Sequence, residues 1–233
     1  MNPAAPKKTP RPTLVMFDMD GTLLESMAQW NDLFSLYLAE KGLRPDGALI
    51  RKIIPMSAED SLRFFRNGLG ISDPPETIQR DLDALMRRQY ETVEPKPHAM
   101  ALLAKLRALS VKVLITTGTT SALFLPRLRA LGVTELVDKA LSCDDMHSDK
   151  HAPDIWERGL ALTKTPREQA IVVEDSLFAI RTAKAAGFRV WGVYDRCSRS
   201  DADQIRQSVE FFMDSLADFL PRFQSLPPVF QEE

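Results

Sequence analysis

Cysteine is nearly missing from this chain: two occur in 233 residues, Cys143 and Cys197, far apart and in no metal-binding or redox spacing. That scarcity argues against a disulfide framework and against a cysteine-built zinc site, and it fits a reducing compartment in which both thiols are structural. Histidine is almost as sparse, and His98, His147 and His151 lack the spacing of metal ligands. No apolar run approaches the roughly 18 residues needed to span a membrane. The opening "MNPAAPKKTPRP" lacks the apolar stretch of a secretory signal, so the expected location is the cytoplasm, with no membrane partner. Net charge is also lacking: 30 basic against 32 acidic residues give −2 at pH 7, which provides no global attraction to nucleic acid or anionic lipid. Internal repeats and long low-complexity segments are absent.

What is present is enough apolar material, 44%, for one large domain or a medium domain carrying a smaller one. "LVMF" (14 to 17), "VKVLIT" (111 to 116), "AIVV" (170 to 173) and "RVWGV" (189 to 193) are short, continuously apolar runs of the kind buried on both faces of a parallel sheet. Helical patterns lie between them. "HAMALLAKLRAL" (98 to 109) spaces Leu102, Leu103, Leu106 and Leu109 on one face, and "SLFAIRTAKAAG" (176 to 187) ends on Gly187, as a helix C-cap would. "SALFLPRLRALG" (121 to 132) also reads as helix, with Pro126 starting it late or kinking it. The remainder, with "FFMDSLADFL" (211 to 220), reads as a short C-terminal helix and a Pro-containing tail. Alternation of strand and helix predicts a doubly wound α/β core.

Residues 26 to 96 break this rhythm. They carry helical patterns, with Leu33, Phe34, Tyr37 and Leu38 on one helix followed by "AEDSLRFF" (58 to 65) and "ETIQRDLDALMRRQY" (76 to 90), and almost no β-branched run. The expected organisation is a core of residues 1–25 and 97–233 with an all-helical insertion over 26–96. "LLES" and "EPKP" (94 to 97) serve as its linkers.

In an open parallel sheet, ligands bind beyond the carboxyl ends of the strands, and the polar clusters fall there. Asp18 and Asp20 follow the first apolar run, Thr116, Thr117 and Gly118 the second, and Glu174 and Asp175 the third; Lys150 precedes a helix expected near Asp154. Four clustered carboxylates repel one another unless a cation sits among them. Oxygen-only ligands suit Mg²⁺ better than Zn²⁺. A metal, a lysine and backbone N–H groups in turns containing Gly21 and Gly118 make a pocket for phosphate. One carboxylate can then attack phosphorus, and a second, two residues on, can move the proton. Glu174 and Asp175 also suit the start of the following helix, and capping is compatible with metal binding.

These residues form four segments in order: "DMDGTL" (18 to 23), a Thr ending the strand in "VKVLITTGTT", the lysine of "DKHAPDIW" (149 to 156), and the acidic pair of "VVEDSLFAIRTAKAAG" (172 to 187). Together they closely resemble the motifs of the haloacid dehalogenase superfamily. The second motif matches Thr117, with Thr116 the alternative one residue earlier. His151 and Ala179 stand where members often have Pro and Gly, and neither departure removes a reacting group. The resemblance implies a Rossmann-like α/β core with a helical cap inserted after the first motif, Asp18 as nucleophile and Asp20 as general acid/base whose backbone carbonyl meets Mg²⁺. It further implies Thr117 and Lys150 as phosphate-binding catalytic residues, with Gly21 and Gly118 beside them, and Asp18, Asp20, Glu174 and Asp175 as the metal set.

Within that family, Asp20 argues against a dehalogenase, which lacks the second acid. The cap histidine of a β-phosphoglucomutase is replaced by Trp30, and the Schiff-base lysine of a phosphonate hydrolase has only Lys41 as a match. The reading is a Mg²⁺-dependent phosphatase of a small phosphorylated metabolite, a sugar phosphate or phosphoglycolate, working through an aspartyl-phosphate. A phosphomutase and a catalytically silent binding domain are the alternatives. Because a cap restricts access to the rim, no protein partner is expected.

Overall fold

The computed structural model describes residues 10–53, 56 and 58–228; most of the opening "MNPAAPKKTPRP" and the end of the Pro-containing tail lie outside them. The described residues divide into two compact units, one running to Glu25 and again from Glu94 onward, the other comprising Ser26–Val93. In chain order, β1 (Leu14–Phe17) is followed by the helices of the second unit, α1 (Met27–Glu40), α2 (Gly47–Ile53), α3 (Ala58–Asn67) and α4 (Pro75–Tyr90). The first unit resumes with α5 (Ala99–Ala108), β2 (Lys112–Thr117), α6 (Ser121–Ala130), β3 (Lys139–Ser142) and α7 (Asp154–Thr163). It ends with β4 (Ala170–Glu174), α8 (Leu177–Ala185), β5 (Arg189–Val193), α9 (Ala202–Ser208), β6 (Phe211–Met213) and α10 (Phe219–Ser225).

The six strands form one parallel sheet in the order β3-β2-β1-β4-β5-β6, a Rossmann-like α/β core. Its central strands bury every side chain because helices cover both faces. Side chains alternate along β1. Met16 points into a cluster with Leu114, Ile155 and Trp156, while the Phe17 ring packs against Phe219 with centroids 5.6 Å apart. α7 lies close against β1 because Gly159 has no side chain: a Cβ there would stand 2.6 Å from Met16 Sδ and 3.2 Å from Leu114 Cδ1. Strand order reverses between β1 and β4, where a doubly wound sheet opens its binding crevice. Phe17 is in register with Ile115 on one side and Val173 on the other. One residue later, Asp18, Thr116 and Glu174 therefore lie at a common level, Asp18 just past β1 and the other two still within β2 and β4.

The second unit has its own core. Phe65 is fully buried, with ring contacts to Phe34 at 5.8 Å and Tyr37 at 5.4 Å. Ile78, Leu82, Leu85 and Met86 line the buried face of α4. Lys41 at the end of α1 bridges Asp73 at 2.7 Å and Asp81 at 3.0 Å.

Several local expectations change. The compact helical unit ends at Val93 instead of 96, because Lys96 is buried against Tyr194 and Asp195 of the first unit. Phe211–Met213 is an edge strand, and the last helix begins only at Phe219. α6 starts at Ser121 with Pro126 inside it, so the helix begins without delay and forgoes one backbone bond at the ring. Leu109, placed on the buried face of α5, lies past the helix end and is exposed.

Candidate active site

Asp18 stands at the end of β1, buried, with its N–H still in the sheet as a 2.8 Å hydrogen bond to the Val173 carbonyl. Its Oδ1 receives the Lys150 ammonium. Lys150 Nζ also donates to Glu174 Oε1 at 2.6 Å, so a single buried cation spans the ends of β1 and β4. Asp18 Oδ2 is buried and has no hydrogen-bond partner. A buried polar atom left unpaired is costly. Asp18, Glu174 and Asp175 each offer a carboxylate oxygen, all within 4.8 Å of one another.

The electrostatics follow from burial. Desolvation pushes Asp18 up to about 7, with the charges of Glu174 and Asp20 acting in the same direction and Lys150 opposing them. Asp175 is raised well above the usual carboxylate range by desolvation, then by Asp18, Glu174 and Asp195, against a hydrogen bond from Ser198. Burial works against the Lys150 charge, but Asp18 and Glu174 outweigh it and hold the ammonium protonated. Three carboxylates and one ammonium, −3 and +1, leave a formal −2 at this point. Hard oxygen donors, an orphaned carboxylate oxygen and a charge deficit of two fit a divalent cation such as Mg²⁺.

Asp20 is held apart from that cluster. The turn after it depends on Gly21, whose φ of +83° is the left-handed region favouring glycine. Asp20 Oδ2 accepts a 2.7 Å hydrogen bond from Thr119 Oγ1 and a long 3.5 Å one from Thr117 Oγ1. Thr117 Oγ1 in turn accepts from the Thr119 N–H at 3.1 Å. Alternation along β2 turns Thr116 the other way, and its hydroxyl lies 3.4 Å from the Phe17 carbonyl. Thr117 is thus the hydroxyl of the pair beside Asp20. Gly118 is exposed, and a Cβ there would meet nothing within 4 Å. Sequence reasoning missed Thr119; the only signal was the run of four threonines in "TTGTT". The hydrogen bonds of Glu174 and Asp175 run to Lys150, Ser176 and Ser198. Ser198 carried no sequence signal, since it reaches Asp175 from the turn after β5. His151 is exposed, its ring tilted by 30° against Phe178 with centroids 4.7 Å apart.

Comparison with known proteins converges on one family. The chain is 28% identical over 225 residues to (DL)-glycerol-3-phosphatase 2 of Arabidopsis thaliana, covering 93% of this chain and 92% of that protein. It is 27% identical over 188 residues to phosphoglycolate phosphatase of Rhodospirillum rubrum, covering 77% and 78% respectively. The crystal structure of CbbY from Rhodobacter sphaeroides in complex with phosphate shares the fold, with a TM-score of 0.75 over 90% of this chain and 96% of that one at 23% identity. The model of the family described as haloacid dehalogenase-like hydrolase matches residues 15–193, most of the chain and all four acidic, threonine and lysine segments, and the chain belongs to that family.

Proposed function

We propose that this hydrolase is a Mg²⁺-dependent phosphatase of small phosphorylated metabolites that works through an aspartyl-phosphate on Asp18. The observation carrying the reading is the state of Asp18: one oxygen is held by Lys150, the other is buried and unpartnered, and a second acid stands two residues on.

In this reading Asp18 attacks phosphorus, forming the aspartyl-phosphate, while Asp20 gives a proton to the departing substrate oxygen. Asp20 then takes a proton from water, the water oxygen attacks phosphorus, the acyl-phosphate P–O bond breaks, and Asp18 returns with inorganic phosphate released. Thr119 and Thr117 orient Asp20 for both transfers. Lys150 stabilises charge on the transferred group, which matters because phosphoryl transfer depends on positioning and charge more than on elaborate covalent chemistry. Asp18, Glu174 and Asp175, with the Asp20 carbonyl, would hold Mg²⁺. When bound it supplies charge neutralisation to the carboxylates and the phosphoryl oxygens. Relatives named for glycerol-3-phosphate and phosphoglycolate hydrolysis support a small phosphomonoester as substrate, with sugar phosphates and phosphoglycolate the first to screen.

The test is steady-state phosphate release from an aryl phosphate with Mg²⁺, with chelator, and with Asp18→Ala in parallel. Continuous release that needs both Mg²⁺ and Asp18 is expected. Release undiminished in the Asp18→Ala protein would overturn the reading.

A further inference from the structure

Asp175 owes its orientation to more than its own loop. Its Oδ2 accepts a 3.0 Å hydrogen bond from Ser198 Oγ, and Ser198 lies in the short 3-10 turn Arg196–Asp201 that follows β5. Asp195 organises that turn. Its carbonyl accepts from the Ser198 N–H at 3.1 Å, and its Oδ1 accepts from the Cys197 N–H at 2.8 Å.

The remaining Asp195 oxygen, Oδ2, lies 2.9 Å from Lys96 Nζ, and both side chains are almost wholly buried, at 3% and 9% exposure. Lys96 Nζ also donates to the Tyr194 carbonyl at 3.0 Å, while its backbone N–H donates to the Leu23 carbonyl at 2.8 Å. Leu23 belongs to the loop that leaves Asp20. One residue therefore ties the loop carrying Asp18 and Asp20 to the turn that holds Asp175. Without the ammonium, Asp195 becomes a lone buried carboxylate, a state so unfavourable that the side chain must turn toward water and release the turn it organises.

We propose that Lys96 is a positioning residue for the divalent cation. Paired with Asp195, it fixes the Arg196–Asp201 turn so that Ser198 holds the Asp175 carboxylate ready to receive the ion. Groups that orient metal ligands in this way commonly control affinity as strongly as a weak ligand does. The inference rests on the reading of Asp175 as a cation ligand.

The test is Mg²⁺ binding to the full chain by calorimetry, a readout independent of turnover, in four variants. Asp175→Asn should abolish binding. Lys96→Met and Ser198→Ala should each raise the Mg²⁺ dissociation constant about tenfold, and the turnover defect of Lys96→Met should recover at saturating Mg²⁺. The double variant Lys96→Met with Asp195→Asn should regain most of the affinity, because the amide still accepts from the Cys197 N–H and needs no buried counter-charge. Wild-type binding by Asp175→Asn sinks the ligand assignment itself. Loss of binding in Asp175→Asn with wild-type affinity in Ser198→Ala or Lys96→Met leaves that assignment standing and overturns the positioning role. A double variant no better than Lys96→Met also overturns it. If Lys96→Met fails to fold by circular dichroism, Ser198→Ala and the double variant decide.

Discussion

Asp18 carries a conflict between burial and charge, and that conflict has a pH signature. Its folded pKa is raised to about 7 from an ordinary value of 3.8. The folded state therefore binds this proton more tightly than the unfolded chain does. Its contribution to stability is fully favourable below about pH 4 and falls as pH rises from there to about 7, beyond which the carboxylate is a constant penalty. In chelator, Asp18→Asn should thus melt above the wild type at pH 8, by about 2–4 °C for each kcal/mol removed. The gap should shrink toward pH 4, and Mg²⁺ should narrow it at pH 8 by neutralising the wild-type carboxylate. Thermal melts of both proteins across that range check this, and a gap that widens on acidification would contradict it.

Asp20 has the opposite character: its carboxylate is held by hydroxyl donors instead of being deprived of them. Asp20→Asn should lower kcat by about 10²–10⁴, the usual worth of positioned acid–base catalysis, with little change in KM. Thr119→Val removes a hydrogen bond worth about 1 kcal/mol and should lower kcat about fivefold. An unchanged kcat in Thr119→Val would remove that residue from the site. Asp18, Asp20 and Lys150 were legible as residues because each sits in a segment with a recognisable neighbourhood. Thr119 was not, since four hydroxyls share the segment and only the turn after β2 brings this one within 2.7 Å of Asp20.

At the scale of elements, α7 and β1 meet through Gly159. Gly159→Ala would drive a methyl to 2.6 Å from Met16 Sδ, two residues before Asp18. Overpacking of this kind costs about 1–3 kcal/mol. The variant should unfold at lower denaturant with an unchanged slope, and combining it with Met16→Val should recover most of the loss. A double variant as unstable as the single one would show that the backbone, and not the Met16 side chain, is the obstacle. The strands that carry the site were readable because parallel-sheet burial demands unbroken apolar runs, as in "LVMF" and "AIVV". β3 and β6 were not, because edge strands of four and three residues carry too few side chains for a period. In the case of "FFMDSLADFL", the apolar spacing also suits a helix. α2, at seven residues opened by a glycine, is too short to declare itself for the same reason. The Lys96–Asp195 pair was invisible for a different one: nothing local requires it, and only the fold brings the two segments together.

For the whole molecule, the decisive feature is how little the first unit is interrupted by the second. The chain leaves the first unit at Glu25 and re-enters at Glu94, and those ends are already paired: the Glu25 N–H donates to the Glu94 carbonyl at 2.9 Å, and Leu24 bridges Pro95. Ends held this close allow a short connection to replace the insertion at small entropic cost. Each unit also has its own buried set, Phe65, Tyr37 and Leu82 in the helices and Met16, Leu114 and Trp156 around the sheet. Replacing residues 26–93 with a Gly-Ser linker of about four residues, an ordinary connection length, should therefore leave a chain that unfolds in one cooperative transition. Mg²⁺ at about a hundred times its dissociation constant should stabilise that chain by about 2.7 kcal/mol, raising its midpoint by about 5–10 °C. Asp175→Asn in the same background should remove the shift. Loss of the cooperative transition would mean that the sheet depends on the helical unit for its stability, and a transition insensitive to Mg²⁺ would mean that the first unit alone does not complete the cation site.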